Sequence, residues 1–177
     1  MTFKETNEAL NKFGKYVVQQ SRSNLTKGNK GGGNLYSSIK YDLTEEQNAF
    51  LLDFLMEDYG TFQDLGVKGK NPSLVKNGTQ KAPNSPYSYK SKKPPLKPLI
   101  QWAKMKKIRF RDKEGKFKRG NYKTIGFWLQ KRIFSQGLKP SMFFTKPFEK
   151  AFKNLPKDIT KAFALDVEKS LVLGIKK

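Results

Sequence analysis

The stretch from 35 to 57, LYSSIKYDLTEEQNAFLLDFLME, decides the fold class of this chain. Apolar and polar side chains alternate in residues 35–43 and again in 49–57, which is the two-residue period of a half-buried strand. The inward positions are Leu35, Ser37, Ile39, Tyr41 and Leu43 in the first segment and Phe50, Leu52, Phe54 and Met56 in the second. Residues 44–48 form the turn, so the two segments predict an antiparallel hairpin. A helix is the competing interpretation of 49–57, because Leu51 and Leu55 are four residues apart.

Helical periods flank this hairpin on both sides. We predict helices over residues 3–20, 98–108, 124–136 and 155–175, with Gly137 as the C-cap of the third. Their apolar positions are Phe3, Leu10, Phe13 and Val17, then Leu99, Ile100, Ala103 and Ile108, then Ile125, Trp128, Leu129 and Ile133, and finally Leu155, Ile159, Phe163, Val167, Leu171 and Ile175. The last set repeats every four residues and predicts one unbroken apolar stripe. The expected class is α+β, with a small antiparallel sheet, made by the hairpin 35–57 and possible extra strands, packed by three to four helices.

Other segments lack a clear period. Residues 24–33 are rich in glycine and predict a flexible connection, whereas 59–66 predict a short turn or helical piece. Residues 67–94 predict a long excursion with little regular structure, anchored by aromatic side chains. Residues 109–120 predict a small basic hairpin around Gly115 or a mobile loop, and Trp102 is expected to dock its helix onto the body of the protein. We therefore expect one domain, residues 1–177, carrying a basic insertion or arm at 67–120.

The net charge of +21 is concentrated in the middle of the chain. Residues 66–139 contain 21 Lys and Arg but only two acids, Asp112 and Glu114. A solvated, lysine-rich surface is one explanation of such a run. The alternative is a polyanion-binding segment, and the interleaved aromatic residues favour it. Those aromatic residues are Tyr87, Tyr89, Phe110, Phe117 and Tyr122.

DNA or another polyanion is therefore the expected partner of this segment, bound without sequence specificity. Lysine greatly outnumbers arginine there, which favours loose contact with phosphates over bidentate recognition of bases. The candidate contacts are Lys68, Lys70, Lys90, Lys92, Lys93, Lys106, Lys107, Arg109, Arg111, Lys116, Lys118 and Arg119. No membrane contact is expected, because the longest apolar run, 49–56, is interrupted by Asp53.

Composition gives little support for catalysis, and we predict no enzymatic activity, no cofactor and no metal. The chain has no histidine, the usual group for proton transfer near neutral pH, and no cysteine for a thiolate zinc site. Residues 66–70 (GVKGK) lack the spacing of a nucleotide-binding phosphate loop. A metal-dependent nuclease using Asp112, Glu114 and Lys116 is a third possibility, but a charged turn explains these three residues more simply.

Three short motifs carry a resemblance to a known family. They are the Tyr59-Gly60-Thr61-Phe62 turn after the hairpin, the Gly137-Leu138-Lys139-Pro140 segment after a helix, and Phe143-Phe144-Thr145-Lys146-Pro147-Phe148 leading into another helix. In this order, over residues 3–153, the chain resembles the minor tail component, or tail-completion, family of tailed bacteriophages. Lys146-Pro147-Phe148 is the strongest of these motifs.

The resemblance implies a structural protein of the virion, assembled in the host cytoplasm. It implies a subunit of a homo-oligomeric ring at the neck, which connects the portal to the tail or completes the tail. The implied partners are the portal, other tail or connector proteins, and either packaged DNA or an acidic surface of the adjacent ring. The residues implied at the assembly interface are Tyr59, Phe62, Phe143, Phe144, Pro147 and Phe148. A free, sequence-independent nucleic-acid-binding protein is the alternative.

Overall fold

The structure, a computed structural model, describes residues 3–28, 32–47, 49–75, 78–117 and 120–175, with side chains up to residue 171. Its elements follow the order α1 (Lys4–Lys27), α2 (Asn34–Ser38), β1 (Lys40–Glu45), β2 (Phe50–Leu55), α3 (Gly60–Leu65), β3 (Val67–Lys68), a 3-10 turn (Pro72–Leu74), α4 (Leu96–Met105), α5 (Tyr122–Gln136), β4 (Gly137–Leu138), α6 (Thr145–Phe152) and α7 (Leu155–Ile175). Both sheets have two antiparallel strands, β1 with β2 and β3 with β4. The predicted α+β class is confirmed.

The chain divides into two compact units. The terminal unit comprises Met1–Gly60 and Met142–Lys177, and the central unit comprises Thr61–Ser141. The central unit contains the predicted insertion, but it begins earlier and ends later than 67–120, because α5 and β4 belong to it.

The terminal unit is built on the predicted hairpin. Strands β1 and β2 pair in one register, with Tyr41 opposite Phe54 and Leu43 opposite Leu52. These four side chains lie on the half-buried face, as the alternation predicts. Phe54 makes edge-to-face contacts with Phe13, Phe144 and Phe148 at centroid distances of 5.4–6.0 Å, so strand, helix α1 and helix α6 meet at this ring.

Two boundaries in this unit differ from the prediction. Residues 35–38 belong to helix α2 and not to a strand, although Leu35 and Ile39 are both buried. A strand period and a helix period both place residues 35 and 39 on the same face. The pattern alone therefore does not distinguish a strand from a helix. Helix α1 continues to Lys27, past the expected start of the flexible connection at residue 24, because the buried Leu25 extends its apolar face. Residues 29–31 of that connection lie outside the described residues.

The unbroken stripe predicted for the last helix is wrong. Helix α7 buries Ala162 and Asp166, whereas Phe163 and Leu171 are 47% and 64% exposed. A four-residue step advances about 40° beyond a full helical turn, so a strict repeat leaves the packed face after two or three steps. Ile175 lies outside the described side chains.

Asp166 instead joins α7 to the start of α1. Its carboxylate accepts hydrogen bonds from the backbone N–H groups of Glu5 and Thr6, both 2.9 Å long, and from the Thr6 hydroxyl at 2.8 Å. Phe3, the residue at the N-cap position, provides no side-chain cap. Asp166 therefore caps α1 from a position 160 residues away in the chain.

Replacing Gly14 by alanine is expected to destabilise the protein by about 1 kcal/mol. A Cβ at this position would lie 2.6 Å from Cδ2 of Tyr41, and overpacking of about 1–3 kcal/mol exceeds the gain in helix propensity of about 1 kcal/mol. Urea unfolding followed by far-UV circular dichroism measures the change. In a Tyr41→Leu background the same replacement should become neutral or stabilising; an equal loss in both backgrounds would disprove the proposed clash.

The central unit has its own small core. Ala103 of α4 and Ile125 and Leu129 of α5 are buried together, with Ile108 and Phe110 packed against them. The predicted docking through Trp102 is wrong, since this side chain is 42% exposed and Ala103 occupies the contact. An alanine allows the two helices to approach closely, which a tryptophan would prevent.

Candidate polyanion-binding surface

Positive charge is concentrated in the central unit. This unit holds 21 Lys and Arg against three acids, a net +18, whereas the terminal unit holds 15 against 12, a net +3. A field of one sign over a small unit attracts polyanions and raises their local concentration. The central unit is therefore the candidate binding surface.

Most of the predicted polyanion contacts are exposed. Lys70, Lys90, Lys92, Lys93, Lys106, Lys107, Arg109, Arg111 and Lys116 are exposed, and Lys68 is half-buried. The last two of the predicted set, Lys118 and Arg119, lie outside the described residues. Exposed lysines of this kind neutralise phosphates without reading bases.

The irregular segment after β3 is held in place by hydrogen bonds. The backbone of Lys68 donates to the Tyr87 carbonyl at 2.8 Å and accepts from the Tyr89 N–H at 3.0 Å. The Gln80 side-chain amide forms two hydrogen bonds with the backbone of Gly69, at 2.7 and 3.0 Å. Most of its described residues lie outside helices and strands, as predicted, yet these bonds hold Lys68, Gly69, Gln80, Tyr87 and Tyr89 in place.

Aromatic side chains anchor the same segment, which confirms that prediction. Tyr87 packs edge-on against Phe62 at 4.6 Å, and Tyr89 lies 5.8 Å from Phe134. Burial raises the pKa of the Tyr89 phenol above its ordinary value. These two tyrosines therefore serve the folding of the unit.

Residues 109–117 form the small basic hairpin that was one of the two predicted alternatives. Arg111 pairs with Phe117 across the strands. Asp112 accepts hydrogen bonds from the N–H groups of Glu114 and Lys116, and Lys116 forms an exposed ion pair of 3.2 Å with Glu114. The three residues of the nuclease hypothesis are thus engaged in closing a turn. Among the described residues, no group of three His, Cys, Asp or Glu side chains is placed to hold a metal.

Arginine side chains lie over exposed aromatic rings of this hairpin and of α5. The guanidinium of Arg111 lies 4.4 Å from the Phe117 centroid, and that of Arg109 lies 5.9 Å from it. On α5, Arg132 lies 5.2 Å from the Trp128 ring. Trp128 and Arg132 were not predicted to lie on the binding surface. Their spacing of four residues on a helix was the available signal, but Trp128 was assigned to the core.

The residues predicted at the assembly interface have different environments. Phe143 and Pro147 are buried, and Phe144 and Phe148 are half-buried against the terminal-unit core. Tyr59 and Phe62 are 48% and 41% exposed. A partner can reach Tyr59 and Phe62, whereas Phe143 and Pro147 stabilise the subunit itself. The interface prediction for the exposed pair stays a prediction.

Searches of protein-family models, curated proteins and solved structures found no match to this chain. The resemblance to phage tail-completion proteins therefore stays a prediction from the motifs. Within the described residues, no helix is both long enough and apolar enough to cross a bilayer.

Proposed function

We propose that the protein is a structural subunit of a phage head-to-tail connector or tail-completion complex, assembled as a ring in the virion. In this proposal the central unit contacts packaged DNA or an acidic surface of the neighbouring ring, and the portal and other tail proteins are its partners. The observation that carries the proposal is the contrast between the net +18 of the central unit and the net +3 of the terminal unit. The resemblance of three short motifs to those of tail-completion proteins suggests the context of a ring.

A feature of the terminal unit supports assembly between copies. Asp42 and Asp53 lie directly opposite each other on the exposed face of β1 and β2. Opposed like charges destabilise a sheet, and within the described residues neither carboxylate forms an ion pair. A basic surface of an adjacent copy would relieve this repulsion, since the central unit supplies the opposite charge.

Reversing three exposed charges of the central unit is expected to weaken duplex DNA binding about tenfold or more at moderate salt. The variant is Lys90→Glu, Lys92→Glu, Lys93→Glu. Each lost phosphate contact reduces the magnitude of the negative slope of log affinity against log salt by about 0.9, so this magnitude should fall by about 2.7. Fluorescence anisotropy with a labelled duplex at several salt concentrations measures both quantities.

The matched control moves the same charge change to the terminal unit. Lys150→Glu, Lys153→Glu, Lys157→Glu replaces three exposed lysines there, and we expect most of the affinity and slope to remain. Equal losses in the two variants would show that net charge alone governs binding and would contradict a binding surface on the central unit.

Native mass spectrometry of the full chain tests the ring. A closed oligomer of one dominant size is expected at low salt, and Asp42→Lys with Asp53→Lys should dissociate it. A chain that stays monomeric over the accessible concentration range but still binds duplex DNA would contradict the connector proposal. That result would support the second candidate.

The second candidate is a free, sequence-independent nucleic-acid-binding protein. The observation that favours it is the presence of exposed aromatic rings among the cations of the central unit, with Phe117 60% and Trp128 43% exposed. Exposed aromatic side chains are not needed to neutralise charge between neighbouring protein assemblies. They are used in stacking contacts with the bases of nucleic acids.

A further inference from the structure

The basic hairpin 109–117 has two different faces. Arg109, Arg111 and Phe117 share one face, because Arg111 pairs with Phe117 and Arg109 is two residues before Arg111. Phe110 points to the other side and meets Trp128 edge-on at 5.7 Å with perpendicular rings. The Phe110 face therefore docks the hairpin on α5, and the arginine and Phe117 face remains open.

A cavity of about 620 Å³ lies beside this hairpin within the central unit. Ile108, Phe110, Tyr122 and Ile125 give it apolar and aromatic walls, and Arg109 and Phe117 lie at the same cavity. This volume is in the range of small-molecule sites, which combine apolar walls with a few polar groups. A flat aromatic group fits such walls, and an anion fits the arginine.

We propose that this cavity and the Phe117 face of the hairpin bind single-stranded nucleic acid. An unstacked base lies against the Phe117 ring and the cavity wall, and Arg109 and Arg111 hold the adjoining phosphates. This inference rests on the proposed contact of the central unit with DNA. The exposed lysines contact duplex phosphates, and the hairpin adds a separate site for a single strand.

The reason for a single strand is the accessibility of base faces. In a duplex the bases stack on each other, so only the phosphates are available to exposed lysines. In a single strand a base can leave its neighbours and stack on an aromatic ring. Phe117 is 60% exposed, so much of its ring is available to a ligand. If the Phe117 ring only stabilised the hairpin by its contact with Arg111, it would not need to be exposed. A ring turned inward would bury more apolar area.

Anisotropy with a labelled oligothymidine and a duplex of equal length tests this proposal on the full chain. Wild type is expected to bind the single strand more tightly at equal salt. Phe117→Ala should weaken single-strand binding about tenfold, the effect of losing one stacked base, and change duplex binding less than twofold. Phe117→Trp should retain single-strand binding, and its emission should be quenched by the oligonucleotide.

Two further variants separate stacking from charge and from folding. Phe127→Ala removes another ring of the central unit that is 50% exposed and should bind like wild type. Arg111→Lys keeps the charge but loses the planar group, and should weaken single-strand binding. The inference is overturned if both nucleic acids bind equally well or if Phe117→Ala and Phe127→Ala have equal effects. Duplex binding without single-strand preference would refute only this inference, whereas absence of binding to both would also refute DNA as the partner of the proposed function.

Discussion

Replacing Asp166 by alanine is expected to lower the free energy of unfolding of the terminal unit by about 3 kcal/mol. The loss combines a helix N-cap, about 0.5–2 kcal/mol, with unsatisfied donors in a buried place, about 1–3 kcal/mol. Thr6 and Asp166 are only 3% and 2% exposed, so water has little access to replace the carboxylate. Both N–H groups at the start of α1 and the Thr6 hydroxyl would lose their acceptor.

Urea unfolding followed by far-UV circular dichroism measures this change, because α1 and α7 contribute 24 and 21 helical residues. Glu168→Ala is the matched control, since it removes an exposed carboxylate from the same helix; less than about 0.5 kcal/mol is expected. Similar losses in both variants would contradict the capping role of Asp166.

The same carboxylate makes stability depend on pH. Burial alone would raise the pKa of the Asp166 carboxyl, but the hydrogen bonds from Glu5 and Thr6 and the charge of Lys169 outweigh it, and the pKa is lowered. The contribution is therefore complete above the unfolded pKa of about 4 and is lost as the pH falls through the lower, folded pKa. Wild type should lose more stability than Asp166→Asn between about pH 5 and pH 2. Parallel pH profiles would contradict this assignment.

Replacing Gly137 by alanine is expected to destabilise the central unit by about 4 kcal/mol. Gly137 has φ +89°, which is unfavourable for other residues and costs about 1–3 kcal/mol. An added Cβ would also lie 2.2 Å from the Val67 carbonyl oxygen and 2.7 Å from the Gly69 nitrogen. These are backbone atoms of the paired segment, so the β3–β4 contact must open, at a cost of about 1–3 kcal/mol.

Tryptophan fluorescence measures this loss selectively, because Trp102 and Trp128 are the two tryptophans of the chain and both belong to the central unit. Gly115→Ala is the matched control: it shares a positive φ, +82°, but its Cβ would meet no atom within 4 Å. It should cost about 1–3 kcal/mol, the backbone strain alone. Equal losses for the two replacements would show that the close approach of β3 has no energetic role.

Local patterns predicted much of the secondary structure. The alternation around Tyr41 and Phe54 placed the hairpin and its inward face, because one face of a strand must be buried. The spacing of Ile125 and Leu129 placed α5, and Gly115 made a basic hairpin one of the two alternatives predicted for 109–120. Each of these features depends on side chains within a few residues of each other.

The misassigned features depend on distant partners. Trp128 has helical spacing with Ile125 and Leu129, and Trp102 was expected to dock its helix, so both tryptophans were predicted to pack. The structure buries Ala103 between α4 and α5 and leaves both tryptophans partly exposed. Periodicity identifies an apolar face, but the shape of the opposing surface determines which of its residues is covered.

The sequence by itself determined the α+β class and the segregation of positive charge, because composition and a two-residue period are properties of the linear chain. Only the tertiary structure decided that residues 1–60 and 142–177 form one unit and residues 61–141 another, and that Asp166 caps a helix at the opposite end of the chain. It also placed Arg109, Arg111 and Phe117 on one open face. The physical reason is that hydrogen bonds, burial and ring contacts depend on distances in space, which the order of residues specifies only through the completed fold.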